Sequence, residues 1–257
     1  MNQLRVSVAT YDQVVFAHPE NGITMLALER KATVLKDGNV YVRAQPFGGG
    51  VKILNPKPLE DLIGEIQFDS ERSKQEGDFR ILIQPSKWDA VKRYCLLHLQ
   101  DQNDPEIESA PDRELVEEFE ETMDIRLKPN QYAVQPMGFV VENTPVWTEN
   151  WYARGSLTVR VYRTYSVNLL DAKLCGTLLD ISQQVSDQEL GMQALKNKRG
   201  RANSVLALPL QSVTEAWLAL PPELRYRKIK VDGCTLDESV LAVLGNVDVP
   251  QYQRIKT

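Results

Sequence analysis

Histidine is scarce in this 257-residue chain, at two residues, and cysteine at three. Cys95, Cys175 and Cys234 stand far apart, which excludes a disulfide framework and any closely spaced cysteine zinc site. His18 and His98 lie near no Cys or Asp pattern that suggests a ligand set, so histidine-centred metal chemistry and a Ser-His-Asp triad are poor readings. Neither GxxxxGK[ST] nor GxGxxG occurs, which removes P-loop motors and Rossmann dehydrogenases. No apolar run approaches the roughly 18 residues needed to span a bilayer, and Met1–Arg5 lacks the basic, apolar opening of a secretory signal. The expectation is a cytoplasmic protein with no membrane partner. A net charge of −5 argues against extensive nucleic-acid binding.

What is present is an ordinary globular composition, 42% hydrophobic and 25% charged, with no internal repeat and no low-complexity tract. The first fifty residues read as strands: 5–8, 14–16, 23–28, 32–35 and 40–44, with Asp37-Gly38 as a hairpin turn. A turn with unusual backbone freedom follows at Pro46-Phe47-Gly48-Gly49-Gly50. Further on, 59–66 reads as a short helix, 69–78 as a charged loop, 79–83 as a strand and 88–97 as a helix. Tyr132 to Val141 and Leu157 to Val167 read as strands, and 186–195 and 211–220 as helices. Thr235 to Leu244 reads as a last helix with a Thr235/Glu238 capping box. The fold class is α/β, in one elaborated domain over residues 1–257.

The clearest helix runs from Asp112 to Met123, with Ser109 as its N-cap and Pro111 in its first turn. Leu115, Val116, Phe119 and Met123 form its apolar stripe. Glu114, Glu117, Glu118 and Glu121 fall at i, i+3, i+4 and i+7, on one face. Like charges at this spacing destabilise a helix by about 0.2–0.5 kcal/mol per pair, and no Lys interrupts them between 112 and 127. A carboxylate ridge of this kind supplies the several oxygen ligands that a hard divalent cation requires.

Arg113-Glu114-Leu115-Val116-Glu117-Glu118 resembles the Arg-Glu-apolar-x-Glu-Glu heart of the Nudix box. Around it the pattern departs. Pro105 stands where the family has its upstream Glu, with Glu106 and Glu108 close by. Leu99 and Glu120 stand where it has Gly, and Glu121 takes the apolar place that follows. Phe47-Gly48-Gly49-Gly50 is similar to the glycine turn that enters the family's catalytic loop, which implies an insertion at about 55–105.

The resemblance implies a Nudix-like α/β/α sandwich with a mixed sheet, and a pyrophosphohydrolase acting on a nucleoside diphosphate derivative. Glu114, Glu117 and Glu118 would hold Mg2+ or Mn2+, Arg113 would orient a carboxylate, and Glu121 or Glu189 would serve as general base. Gly48 and Gly49 would border the substrate. The alternative is a Nudix-like sensor or regulatory protein that binds a nucleotide without cleaving it. Family members often dimerise, so a homodimer is an expectation of the same kind.

Weaker candidates surround these. Trp147 and Trp151 either stack on a base or cap the edge of the core. Arg154 either reaches a phosphate or is an exposed structural residue. Lys196 to Arg201 is a basic loop whose commonest role is a solvated one.

Overall fold

The computed structural model describes residues 3–108, 110–148 and 155–256, with the side chains of 111 and 112 left aside. In the first half, the strands are β1 (Leu4–Ala17), β2 (Thr24–Val34), β3 (Val40–Gln45), β4 (Lys52–Ile53), β5 (Gln67–Phe68), β6 (Arg80–Ile83) and β7 (Ile107–Glu108). The helices of that half are α1 (Lys57–Ile63), α2 (Glu71–Glu76), α3 (Trp88–His98) and α4 (Pro111–Met123). Then come β8 (Tyr132–Trp147), β9 (Leu157–Leu169), α5 (Ala172–Gln184), α6 (Asp187–Lys196), β10 (Arg201–Pro209) and α7 (Leu210–Leu218). The chain ends with β11 (Ile229–Val231), β12 (Cys234–Leu236), α8 (Val240–Val243) and β13 (Tyr252–Ile255).

The architecture is mixed α/β around a forked hairpin. β1 and β2 pair only near their turn, from Val14↔Ala27 to Ala17↔Thr24. Beyond it they diverge. β3 lies against β2, and the following 47–51 segment crosses to β1, where Asp12 N–H bonds Phe47 O at 2.9 Å and Thr10 N–H bonds Gly49 O at 3.0 Å. The glycine run therefore sits in the fork. β1 also pairs in parallel with β9 along nearly its whole length, and β8 and β13 extend the sheet beyond β9.

Alternation along β1 assigns the two faces. Val6, Val8, Val14 and Phe16 pack under α3, α4 and α5, while Val15, with Leu26 and Leu28 of β2, packs under α7 and α8. No described helix is long and apolar enough to cross a membrane.

The segment between the glycine run and α4 is pinched at its neck. β4 pairs with β7 through Lys52↔Glu108 and Ile53↔Ile107. His98 fastens the return path, with Nδ1 2.9 Å from Asp104 and Nε2 3.2 Å from Glu106. This segment also joins the frame. β6 pairs with the start of β1, and Phe79, Ile81, Trp88 and Val91 share a core with Val6, Val8, Val159 and Val161. A closed neck keeps the two ends together, so the length between them costs little at the site they flank.

Four sequence readings are corrected. The apolar runs 5–8 and 14–16 belong to one strand, because β9 and the glycine run pair the polar residues between them. The runs 23–28 and 32–35 likewise merge into β2 across Glu29-Arg30-Lys31. The charged 69–78 stretch contains α2, capped by the Ser70 hydroxyl accepting from Ser73 N–H and stopped by Gly77 at φ +68°. Thr235 to Leu244 is not one helix. Asp232 and Gly233, both at positive φ, make a tight turn that puts Thr235 in β12, and only α8 is helical.

Candidate functional site

Helix α4 begins after Ala110, which gives no side-chain cap, while the expected cap Ser109 lies outside the described residues. It stops at Asp124, which takes the left-handed conformation usual for glycine at a helix end, φ +55°. Leu115 and Phe119 are fully buried, and the Phe119 ring packs 4.9 Å from that of Phe47. Phe→Ala at such a site costs about 3–5 kcal/mol. This contact docks the helix against the residue that opens the glycine run.

Docking brings the glutamate ridge onto the glycines. Gly48 N–H donates to Glu118 Oε2 at 2.6 Å. A Cβ on Gly49 would overlap the Glu114 carboxylate, and one on Gly48 (φ +127°) would overlap Thr10 O. Only glycine lets the backbone come this close to both the helix and β1. Gly50 is close to Arg80 and Asp78, whose side-chain atoms would lie 3.1 and 3.2 Å from an added Cβ.

Arg113 works as a hub. It pairs with Glu114, with Glu117 at 2.9 Å and with Glu108 at 3.0 Å. Glu108, brought in by β7, is the acid from outside α4 that reaches this arginine. Glu117 is 56% exposed on its side chain, and Glu121 is exposed in the last turn of α4. Glu189 is engaged elsewhere. Its carboxylate accepts from Ser186 N–H and the Ser186 hydroxyl, both at 2.8 Å, and caps α6.

Two residues of the site were not found from the sequence. Glu29, 2% exposed on its side chain, shares its β2 face with Ala27, which packs under α4. Lys31 Nζ lies 2.5 Å from Glu29 and 3.8 Å from Glu118. The available signal was the charged Glu29-Arg30-Lys31 in the middle of an otherwise apolar strand. Burial, and then repulsion from Glu29, push the Glu118 carboxyl well above its ordinary range, against the pull of Lys31 and Gly48 N–H. Burial also pushes Glu114 up, against Arg113.

These carboxylates offer oxygen donors suited to a hard divalent cation. Among the described residues, however, no group of three or more His, Cys, Asp or Glu side chains converges as a metal-binding set. Glu114 and Glu118 lie on the glycine run, whereas Glu117 points toward solvent beside Arg113.

Of the remaining sequence candidates, Trp147 is 67% exposed at the end of β8. Trp151 and Arg154 lie outside the described residues. Of the expected basic loop, Lys196 belongs to the end of α6 and Arg201 to the start of β10, and Lys196, Lys198 and Arg199 are exposed.

No protein-family model, curated protein or solved structure matches this chain.

Proposed function

We propose that the chain is a metal-dependent pyrophosphohydrolase of Nudix-like α/β/α build, acting on a nucleoside diphosphate derivative. The observation that carries this reading is the junction of Gly48-Gly49 with Glu114 and Glu118, across an insertion of residues 54–106. Two sequence signals, each weak alone, meet at hydrogen-bonding distance.

In this reading Glu118 and Glu114 hold Mg2+ or Mn2+, with Glu117 beside them. The cation would supply positive charge to diphosphate oxygens and lower the pKa of a bound water. Arg113 fixes the Glu114 and Glu117 carboxylates relative to the helix. Lys31 pairs with Glu29 and lies 3.8 Å from Glu118, whose carboxyl burial and Glu29 still push up. Gly48 and Gly49 carry no side chain, which lets Glu118 and Glu114 reach the backbone of the run.

The test is hydrolysis by purified protein, with Mg2+ and with Mn2+. The panel holds dinucleoside polyphosphates, nucleotide sugars, NAD-type dinucleotides, ADP-ribose and nucleoside triphosphates. Product formation by wild type, lost in Glu117→Gln/Glu118→Gln, is the expected result. Product formed equally by that variant removes the ridge from catalysis.

A second reading, nucleotide binding without cleavage in a sensor or regulatory protein, draws on one observation. The ridge acids already have protein partners in Arg113, Gly48 N–H and Lys31. It predicts a nucleotide-dependent rise in melting temperature with no product on long incubation.

A further inference from the structure

The strand that carries Glu29 and Lys31 continues past the ridge. Register places two rows of side chains across β3, β2 and β10 there. The first is Arg43, Lys31 and Asn203, the second Tyr41, Thr33 and Arg201. The row before them is Gln45, Glu29 and Val205. Val205 belongs to the core under α4, so alternation turns the two further rows to that same side of the sheet. The opposite side is closed, because Ala32, Val42 and Ala202 pack under Leu190 and Ala194 of α6.

Burial shows where the cover of α4 ends. The Glu29 side chain is 2% exposed, that of Lys31 31% and that of Arg43 36%, and Arg201 is exposed. The apolar core under α4 reaches Ala27 and Val205 and includes none of the six.

The open face is cationic. Residues 29–45 and 197–205 hold seven Lys and Arg and two acids, in a chain whose net charge is −5. Of the seven, Arg30 pairs with Asp187 of α6. Lys31, Arg43 and Arg201 stand on the rows. Lys36, Lys198 and Arg199 are exposed at their far end, where Val34 N–H donates to Gly200 O at 2.9 Å and joins the turn before β10 to the end of β2. Neither row contains an acid. Glu29 meets Lys31 from one row back at 2.5 Å. Asp237 meets one guanidinium nitrogen of Arg43 at 2.6 Å from beyond β3.

The face is continuous with the ridge. Lys31 Nζ, on the first row, is 3.8 Å from Glu118. The rows lie roughly 7 Å apart along the strands and extend about 10 Å across them, a span that linked phosphates cover and one phosphate does not. Concentrated positive charge on an open face calls for an anion.

We propose that these rows bind the outlying phosphates of a nucleoside polyphosphate, so that the substrate of the ridge carries three or more phosphates in line. The inference rests on the hydrolase reading of the ridge. Arg43 and Arg201 carry the forked donors that suit phosphate oxygens, and Thr33 and Asn203 add neutral ones. A nucleotide sugar or ADP-ribose, with two phosphates held at the ridge, leaves the rows unfilled.

The test is calorimetric titration of the intact protein with inorganic pyrophosphate and tripolyphosphate, in Mg2+ and again in EDTA. In Mg2+ tripolyphosphate is expected to bind about tenfold more tightly, the size of one charge-assisted hydrogen bond. Arg43→Gln and Arg201→Gln are each expected to erase most of that difference. Lys173→Gln, the same change of charge at an exposed position of α5, is expected to leave it. Should Arg43→Gln fail to fold, because Asp237 loses its partner, the exposed Arg201→Gln decides alone.

Tripolyphosphate binding no better than pyrophosphate overturns the inference. So does a difference that survives in the row variants or falls equally in Lys173→Gln. A mixed-sequence single-stranded oligonucleotide that binds more tightly than tripolyphosphate makes the face a nucleic-acid surface, and also overturns it. Hydrolysis of nucleotide sugars as fast as of nucleoside triphosphates overturns the inference alone. A tripolyphosphate preference that persists in EDTA, with no hydrolysis of any nucleotide, overturns the hydrolase reading and leaves the phosphate rows in place.

Discussion

Asp69 and Glu118 are both carboxylates sheltered from water, in surroundings of opposite kind. Asp69 accepts from Arg5 Nε at 2.7 Å, from the Ser73 hydroxyl at 2.6 Å and from the Ser70 hydroxyl at 3.0 Å. Burial works against its charge, yet these donors outweigh it and hold the carboxyl below its ordinary value. Glu118 has one backbone donor, a lysine 3.8 Å away and a buried acid, Glu29, as neighbour. Its carboxyl is pushed well up. The first acid is satisfied by the chain and joins the segment after the glycine run to β1. The second, held against the glycine run, has donors that do not outweigh its burial and the repulsion of Glu29. The difference separates a joint from a site.

The largest expected effect falls on the joint. Asp69→Ala leaves Arg5 buried without its partner and is expected to cost about 3–5 kcal/mol, seen as an earlier urea midpoint. Because the folded pKa of Asp69 is depressed, its contribution is present above the unfolded value of about 3.9. It is lost as pH falls through the lower folded value. Urea midpoints of wild type and Asp69→Ala should therefore converge below about pH 4. Parallel curves down to the acid limit would remove Asp69 from the joint.

A smaller loss is expected at Gly48. Gly48→Ala meets both a positive φ and the Thr10 backbone oxygen, and strain of this kind costs about 1–3 kcal/mol. The melting temperature should fall and any hydrolysis with it. Gly49→Ala meets only the movable end of Glu114. It should shift the melting temperature by little, while lowering turnover, because Glu114 must leave its place. Equal destabilisation by the two substitutions would mean that the Glu114 contact is structural, and would blur the comparison.

Much of this was legible from residues alone. The apolar stripe Leu115, Val116, Phe119 defined α4, and strict alternation defined β9, because each pattern is local. The triple glycine marked a turn of unusual backbone freedom, and its close approach to Thr10 and Glu114 shows only in the fold. What was not legible was long-range. The neck that joins glycine run to helix rests on two residues per strand, too short for periodicity to reveal. Glu29 escaped because the charged Glu29-Arg30-Lys31 reads as a break between two apolar runs rather than as part of one strand. The turn at Asp232-Gly233 carries the same dipeptide as Asp37-Gly38, but the helical spacing of the residues after it outweighed that signal.

The most direct measurement is made on one variant, Glu118→Gln, with melting temperature and hydrolysis recorded on the same preparation. Removing a charge that Glu29 repels should leave the melting temperature unchanged or raise it, while Mg2+- or Mn2+-supported product formation disappears. Turnover at the wild-type level, or a stability loss as large as that of Asp69→Ala, would contradict the account and make Glu118 a joint like Asp69.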